Sequence, residues 1–174
     1  MKNCYMISIV LGILIISCTP KNSVENQPTL TDRKVSPTEE LLTIQKGGYE
    51  LSIIIPKALI KEDSRLSYRS NFGDLELYID PKFHLYITEE ELSLQALKEE
   101  LQQDELFSRK FYNEGRDELL YQSILPDGSE MGYQWISQIT FNDRSFIVKT
   151  DPQGDYSRQQ IRKIQECSKS IQLF

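Results

Sequence analysis

Apolar positions recur along this chain at two different periods, and each period predicts its own kind of element. Tyr49, Leu51, Ile53 and Ile55 repeat every second residue, the spacing of one strand face, and Pro56 stops the run because it has no N–H for a ladder. The segments Leu66–Ser70 and Asp74–Ile79 flank Asn71-Phe72-Gly73 and read as a hairpin. In its second arm Leu75, Leu77 and Ile79 face one way and Asp74, Glu76, Tyr78 and Asp80 the other. Asp80-Pro81-Lys82 then turns the chain into Phe83–Thr88, where Phe83, Leu85 and Ile87 alternate with His84, Tyr86 and Thr88. Further on, Phe107–Tyr112 and Glu118–Leu125 pair across Asn113–Gly115. Met131–Phe141 and Ser145–Thr150 pair across Asn142-Asp143, a two-residue hairpin signal.

The other period is helical. Leu94, Leu97 and Leu101 line one face, and Thr88 with Glu91 three residues later predicts a capping box, with Glu89, Glu90 and Glu91 at the positive end of the dipole. A last helix is predicted over about Tyr156–Lys169, with Ile161, Ile164 and Cys167 or Ser168 inward and Asp155 as its cap; Ile171 and Leu173 suit a short final strand. Hairpin connections forbid a parallel sheet. The expected fold is α+β: a single domain with a central antiparallel sheet of about seven strands and two helices packed on it.

Two stretches carry a resemblance. The opening YELSIIIPKAL, a strand ending in proline before a short loop, and the closing YSRQQIRKIQECSKSIQLF, a helix running into Ser-Ile, resemble the two ends of PsbP-like domains, a family that includes DcrB-like lipoproteins. The resemblance spans about residues 45–174, with Leu59 and Ile60 where such domains usually carry a tryptophan. It implies an α/β/α sandwich and a binding or assembly role, and it carries no catalytic residue over.

Before residue 41 the pattern changes character. Lys2 precedes an apolar run from Tyr5 to Ile16, which suits a signal peptide. Its 12 residues would cover about 18 Å as a helix, short of a hydrocarbon core of about 30 Å. Ile15-Ile16-Ser17-Cys18 resembles the bacterial lipobox: an apolar residue, a permissive one, a small one, then the cysteine whose thiol takes the lipid. The expected cut falls between Ser17 and Cys18, so that residues 1–17 are the signal and Cys18 is the lipidated N-terminus. Two or more acyl chains make such an anchor effectively permanent. Cys4 leaves with the signal, and Cys167 has no partner for a disulfide.

Residues 18–40 read as the lipidated cysteine and a disordered tether, with three prolines and only Val24, Leu30 and Val35 as aliphatics after it. A coil of that length sets the domain about 25 Å from the membrane. Residues 41–174 form the globular domain. Removing Lys2 with the signal leaves 19 basic against 26 acidic residues, a formal charge of −7. That balance argues against nucleic acid as a partner and against binding to anionic lipid other than by the anchor.

Candidate chemistry is sparse. His84 is the only histidine, which excludes a multi-histidine metal site, and alternation sets it on the water side of its strand. Asp74, Glu76 and Asp80 share a strand face, read as its wet side. Gly128-Ser129-Glu130-Met131-Gly132 has the serine in the wrong place for a nucleophile elbow, and Asp151 and Asp155 lack the spaced acids of a calcium loop. Met131, Tyr133, Trp135, Ile139 and Phe141 form an apolar face expected in the core, with Gln134 and Gln138 toward water. No catalytic, metal-binding or cofactor-binding residue is assigned and no cofactor is expected.

The leading functional expectation is a lipid-anchored, non-catalytic module of the cell envelope that binds a protein partner. A small-ligand binder is the alternative and requires an apolar cavity between sheet and helices. A carboxylate-dependent hydrolase is the third, and requires two acids converging in a concave site. Thr19 follows the cysteine where an inner-membrane retention signal would have aspartate. The expected location is therefore the periplasmic face of an outer membrane, or the outer face of a single membrane.

Overall fold

Both periods survive in three dimensions. The computed structural model describes residues 35–174, so the expected signal peptide, its cut between Ser17 and Cys18 and most of the expected tether lie outside the described residues. The elements run β1 (Glu39–Lys46), β2 (Tyr49–Pro56), β3 (Arg65–Arg69), β4 (Asp74–Asp80), β5 (Phe83–Glu89), α1 (Leu94–Gln102), β6 (Ser108–Glu114), β7 (Glu118–Ile124), β8 (Glu130–Phe141), β9 (Arg144–Thr150), α2 (Arg158–Ser168) and β10 (Gln172–Leu173). Seven strands make one antiparallel sheet in the order β3-β4-β5-β9-β8-β7-β6, and β1-β2-β10 make a second, three-stranded one. The architecture is α+β, as the hairpins required.

The inner face of the large sheet packs on β2 and α2. Leu51, Ile53 and Ile55 of β2 meet Leu75, Leu77 and Ile79 of β4, Leu85 and Ile87 of β5, and Phe146 and Val148 of β9. Ile161, Ile164 and Cys167 of α2 complete this core. A smaller cluster lies on the outer face, where Leu94, Leu97 and Leu101 of α1 cover Leu119, Tyr121, Ile136 and Ile147. Fully burying one such aliphatic side chain contributes about 1.5–3 kcal/mol. The inner face therefore carries most of the apolar stabilisation.

Several local expectations are corrected. β1 was not anticipated: its first residues, Glu39 and Glu40, fall in the span read as tether, yet they pair with Pro56 and Ile55. The connection to β2 is Gly47-Gly48, both at positive φ (66° and 84°), as a two-residue hairpin turn matched to strand twist requires. Thr88 does not cap a helix. It continues β5, pairing with Ile147, and the cap of α1 is Ser93, whose hydroxyl accepts from the Ala96 N–H. Ladder bonds across to β9 outweigh one side-chain cap. Likewise Asp155 does not cap α2. Ser157 does, in a reciprocal box with Gln160. Asn142 and Asp143 take positive φ (47° and 64°) and close the β8–β9 hairpin as expected.

Candidate functional site

The outer face of the large sheet is divided. Seven strands at about 4.8 Å spacing span about 29 Å, and one helix about 10 Å across covers only part of that width. α1 sits over the β6–β9 half, leaving the β3–β4–β5 half without a helix. Strand register brings Arg65, Ser67 and Arg69 of β3, Asp74, Glu76 and Tyr78 of β4, and His84 and Tyr86 of β5 onto that uncovered half.

His84 is at its centre, and it is not the solvated residue that alternation implied: only 9 % of it is exposed. Its Nε2 is 2.9 Å from Glu76 Oε1, and its Nδ1 is 3.2 Å from Asp151 Oδ2, on the loop after β9. A carboxylate only accepts, so the hydrogen on Nε2 is donated to Glu76. Tyr78 meets the ring edge-on at 5.2 Å and Tyr86 lies 4.8 Å away, closing its sides. Both ring nitrogens thus face carboxylates of the protein itself.

Arginines and aromatics surround this centre. Arg69 holds Asp74 through two bonds, Nε to Oδ1 at 2.8 Å and Nη2 to Oδ2 at 2.5 Å. This pairing raises its pKa above the usual arginine value. The same guanidinium is stacked between Tyr86, at 4.0 Å, and Phe72, at 4.5 Å. Phe72, at the tip of the β3–β4 turn, is 70 % exposed. Arg65 lies 4.6 Å over Tyr78 and bonds Glu76. Burial, with help from Asp151, lifts the Tyr86 phenol, which stays protonated at neutral pH. A depression of about 620 Å³ runs beside Arg69, His84, Tyr86 and Asp151.

The acids singled out from sequence are spread among separate partners. Asp74 belongs to Arg69, Glu76 to Arg65 and His84, and Asp80 Oδ1 accepts from the Lys82 N–H in its turn. Glu89 pairs with Arg144 at 2.7 Å, which lowers its pKa, and it ends β5 rather than opening a helix. Asp151 serves His84 and the Gln153 N–H. The Ser129 hydroxyl donates to Asp127 at 2.6 Å within its turn. Among the described residues no group of three or more His, Cys, Asp or Glu side chains is arranged to hold a metal ion. No helix among them is long and apolar enough to cross a membrane.

Gln134 is a further correction. It was expected in water, but it is buried, accepting from the Thr150 hydroxyl at 2.6 Å and donating to the Gly154 carbonyl at 2.8 Å. Trp135 lies in the core as expected, its Nε1 donating to Glu118, whereas Met131 is exposed at the strand end. Arg69, Tyr86 and Lys149 were not recognised from sequence. The available signal was register: pairing β3, β4 and β5 in order collects an unusual share of arginine and aromatic side chains on what a simple alternation labels the wet face.

A second concavity, of about 520 Å³, opens beneath α1. Leu97, Leu101, Tyr121, Ile136 and Ile147 give it apolar walls, and Lys149 and Pro152 are shared with the depression beside His84. This is the kind of space between sheet and helix that the ligand-binding alternative required.

No family model matches this sequence, and neither does any curated protein. Among solved structures, the fold is similar to cyanobacterial PsbP (CyanoP) from Synechocystis sp. PCC 6803. The match has a TM-score of 0.47 and 10% identity, and it covers 86% of this chain and 99% of that one.

Proposed function

We propose that this protein is a non-catalytic binding module, held at the envelope by acyl chains on Cys18, that docks a protein partner on the uncovered β3–β4–β5 face. The observation that carries the reading is the arginine–aromatic stack Phe72–Arg69–Tyr86, one member of which is largely in water. Arginine, tyrosine and phenylalanine are among the residues enriched at protein interfaces. The guanidinium is already fixed by Asp74, so little side-chain entropy is lost when a partner covers it.

A hydrolase fits the same face poorly. A general base needs a free nitrogen or oxygen toward the substrate, and both nitrogens of His84 and the carboxylates of Asp74 and Glu76 are engaged internally. The N-terminal pattern supports the anchor, and the acidic net charge leaves the lipid as the means of attachment.

The partner surface is tested by placing a photo-crosslinking amino acid at Phe72 in the native cell, with Lys163 on the exposed side of α2 as the control. A discrete adduct from position 72 and none from 163 is expected. Irradiation that yields no adduct from 72, or the same adducts from both, removes the surface. The anchor is tested by metabolic labelling with an alkyne fatty acid: label and membrane association are both lost in Cys18→Ser. A label that persists in that variant removes the anchor.

A further inference from the structure

The cavity beneath α1 plays no part in the surface just described, and its walls carry specific chemistry. Leu97 and Leu101 form a roof from the helix, and Ile136, Ile147 and Tyr121 a floor from the sheet. Of the donors in this lining, Gln103 stands exposed at the end of α1 and the Thr150 hydroxyl is given to Gln134, which leaves Tyr121 and Lys149. Tyr121 is 7 % exposed, and its hydroxyl has no hydrogen-bond partner among the described residues. Burial, only partly opposed by Arg109, raises its pKa, so the group is an O–H donor at neutral pH. Lys149 is half-buried where the two concavities meet. It forms no ion pair among the described residues, whereas Lys98 and Lys110 each hold a glutamate. The acids in the lining do not answer it. Asp104 is taken by Arg109 at 2.6 Å, and Glu100 stands exposed on α1, where water screens it.

Strand register fixes how far apart the two donors stand. Tyr121 is opposite Gln134 on β8, while Lys149 is opposite Ile136, two residues further along and one strand beyond. Two strand spacings and a two-residue offset put their backbones about 12 Å apart. A single carboxylate is too small to serve both.

We infer that this cavity binds a small apolar acid carrying a second oxygen at its far end. The carboxylate pairs with Lys149 at the mouth, the hydrocarbon or aromatic body fills the space between α1 and the sheet, and a hydroxyl or carbonyl accepts from Tyr121 at the inner end. A volume of about 520 Å³ is in the range of small-molecule sites. An acid without the second oxygen leaves Tyr121 unpaired against hydrocarbon, and an alcohol without the acid leaves Lys149 unmatched, so each loss weakens binding.

Binding is followed by titration calorimetry, because the indole of Trp135, the chain's one tryptophan, lies on the α2 side of the sheet and donates to Glu118 rather than facing the cavity. The full chain, in the form the cell yields, is titrated with 8-hydroxyoctanoate, octanoate and octan-1-ol. Nanodiscs without protein are the blank if it carries lipid. Saturable binding in that order of affinity is expected, each step at least about threefold. Tyr121→Phe should abolish the difference between the two acids, and Lys149→Met the difference between octanoate and the alcohol. Leu101→Trp should fill the space and remove binding of all three; if that variant fails to fold, the other two still decide the matter. The inference is overturned by any of three results: no saturable signal from any probe, octan-1-ol binding as tightly as octanoate, or affinities unchanged in Lys149→Met. The Phe72 crosslink can fail without touching this result, and the reverse also holds.

Discussion

His84 Nε2 bonds Glu76 Oε1 diagonally across the β4–β5 pair, because the residue directly opposite His84 is Tyr78. Tyr78 then lies edge-on to the ring, and Asp151 closes on the other nitrogen from a loop more than sixty residues later in the chain. One histidine thus ties two strands of the uncovered face to the β9–α2 loop.

Replacing that histidine should be costly even though it is not in the main core. In His84→Ala, Glu76 and Asp151 lose a shared partner. A hydrogen bond to a charged group contributes about 1.5–3 kcal/mol, so a loss of about 2 kcal/mol in urea unfolding is the expected outcome. Glu76→Gln should cost less, and the double variant should cost less than the two singles together, because the partners share one contact. Strict additivity would mean that the contact contributes nothing.

The two helix starts offer a direct comparison of caps. Ser157→Ala removes the hydroxyl that accepts from the Gln160 N–H and should lower stability by about 1 kcal/mol. Thr88→Ala, at the position that sequence favoured as a cap, leaves the ladder to Ile147 intact and should fall within about 0.5 kcal/mol of the parent. Thermal melts of the two variants side by side decide it. A Thr88→Ala loss equal to that of Ser157→Ala would restore the earlier assignment.

What could be read from sequence was what depends on near neighbours. Alternation in Tyr49–Ile55, Asp74–Ile79 and Phe83–Thr88 found strands because each side chain's face is set two residues at a time. Asn142-Asp143 found its turn because Asn and Asp tolerate the positive φ that a type I′ two-residue hairpin needs at both positions. The Asp155 cap was a local misreading, since Ser157 and Gln160 three residues on already form a capping-box pattern; the other main misses depend on distant chain. Alternation placed His84 and Gln134 in water correctly as to face, but loop residues Asp151 and Gly154 return from far away and cover them. Glu39 and Glu40 resembled tether because a charged edge strand has the composition of a linker, and only pairing with β2 makes it a strand. The cavity under α1 depends on how a nine-residue helix sits over four strands, which no local pattern encodes.

Gly132 sets how closely β8 approaches the chain entering α2. A Cβ there would meet the backbone nitrogen of Tyr156 at 2.5 Å, in the bridge where Tyr133 donates to the Tyr156 carbonyl. The Asp155 carboxylate, also in the way, can swing aside, but the backbone nitrogen of Tyr156 and the Asp155 Cα at 2.8 Å cannot. Gly132→Ala should therefore cost about 2–3 kcal/mol by overpacking. Gly128, at φ 85° with open space around it, is a different case. Gly128→Ala incurs only the left-handed backbone strain, about 1–2 kcal/mol. Denaturant midpoints in that order check the assignment, and a harmless Gly132→Ala would show that the two segments are further apart.

Cys167 should make the domain sensitive to alkali. Burial, with the charges of Glu166 and Glu39 adding to it, lifts its thiol from 9.0 to about 11. A folded pKa above the unfolded one means that the native state holds the proton more tightly. The stabilisation is complete below about pH 9 and is lost as pH rises through the folded value, toward 11. Tyr49, Tyr121 and Tyr156, all raised by burial, act with the same sign at higher pH. Urea midpoints should therefore fall between pH 9 and 11, and fall less steeply in Cys167→Ala, which begins less stable because of the cavity it leaves. The same burial suppresses the thiolate. At pH 8 iodoacetamide should modify the peptide carrying Cys167 rapidly in urea and at least tenfold more slowly in the folded chain; equal rates in the two states would place the thiol outside the core.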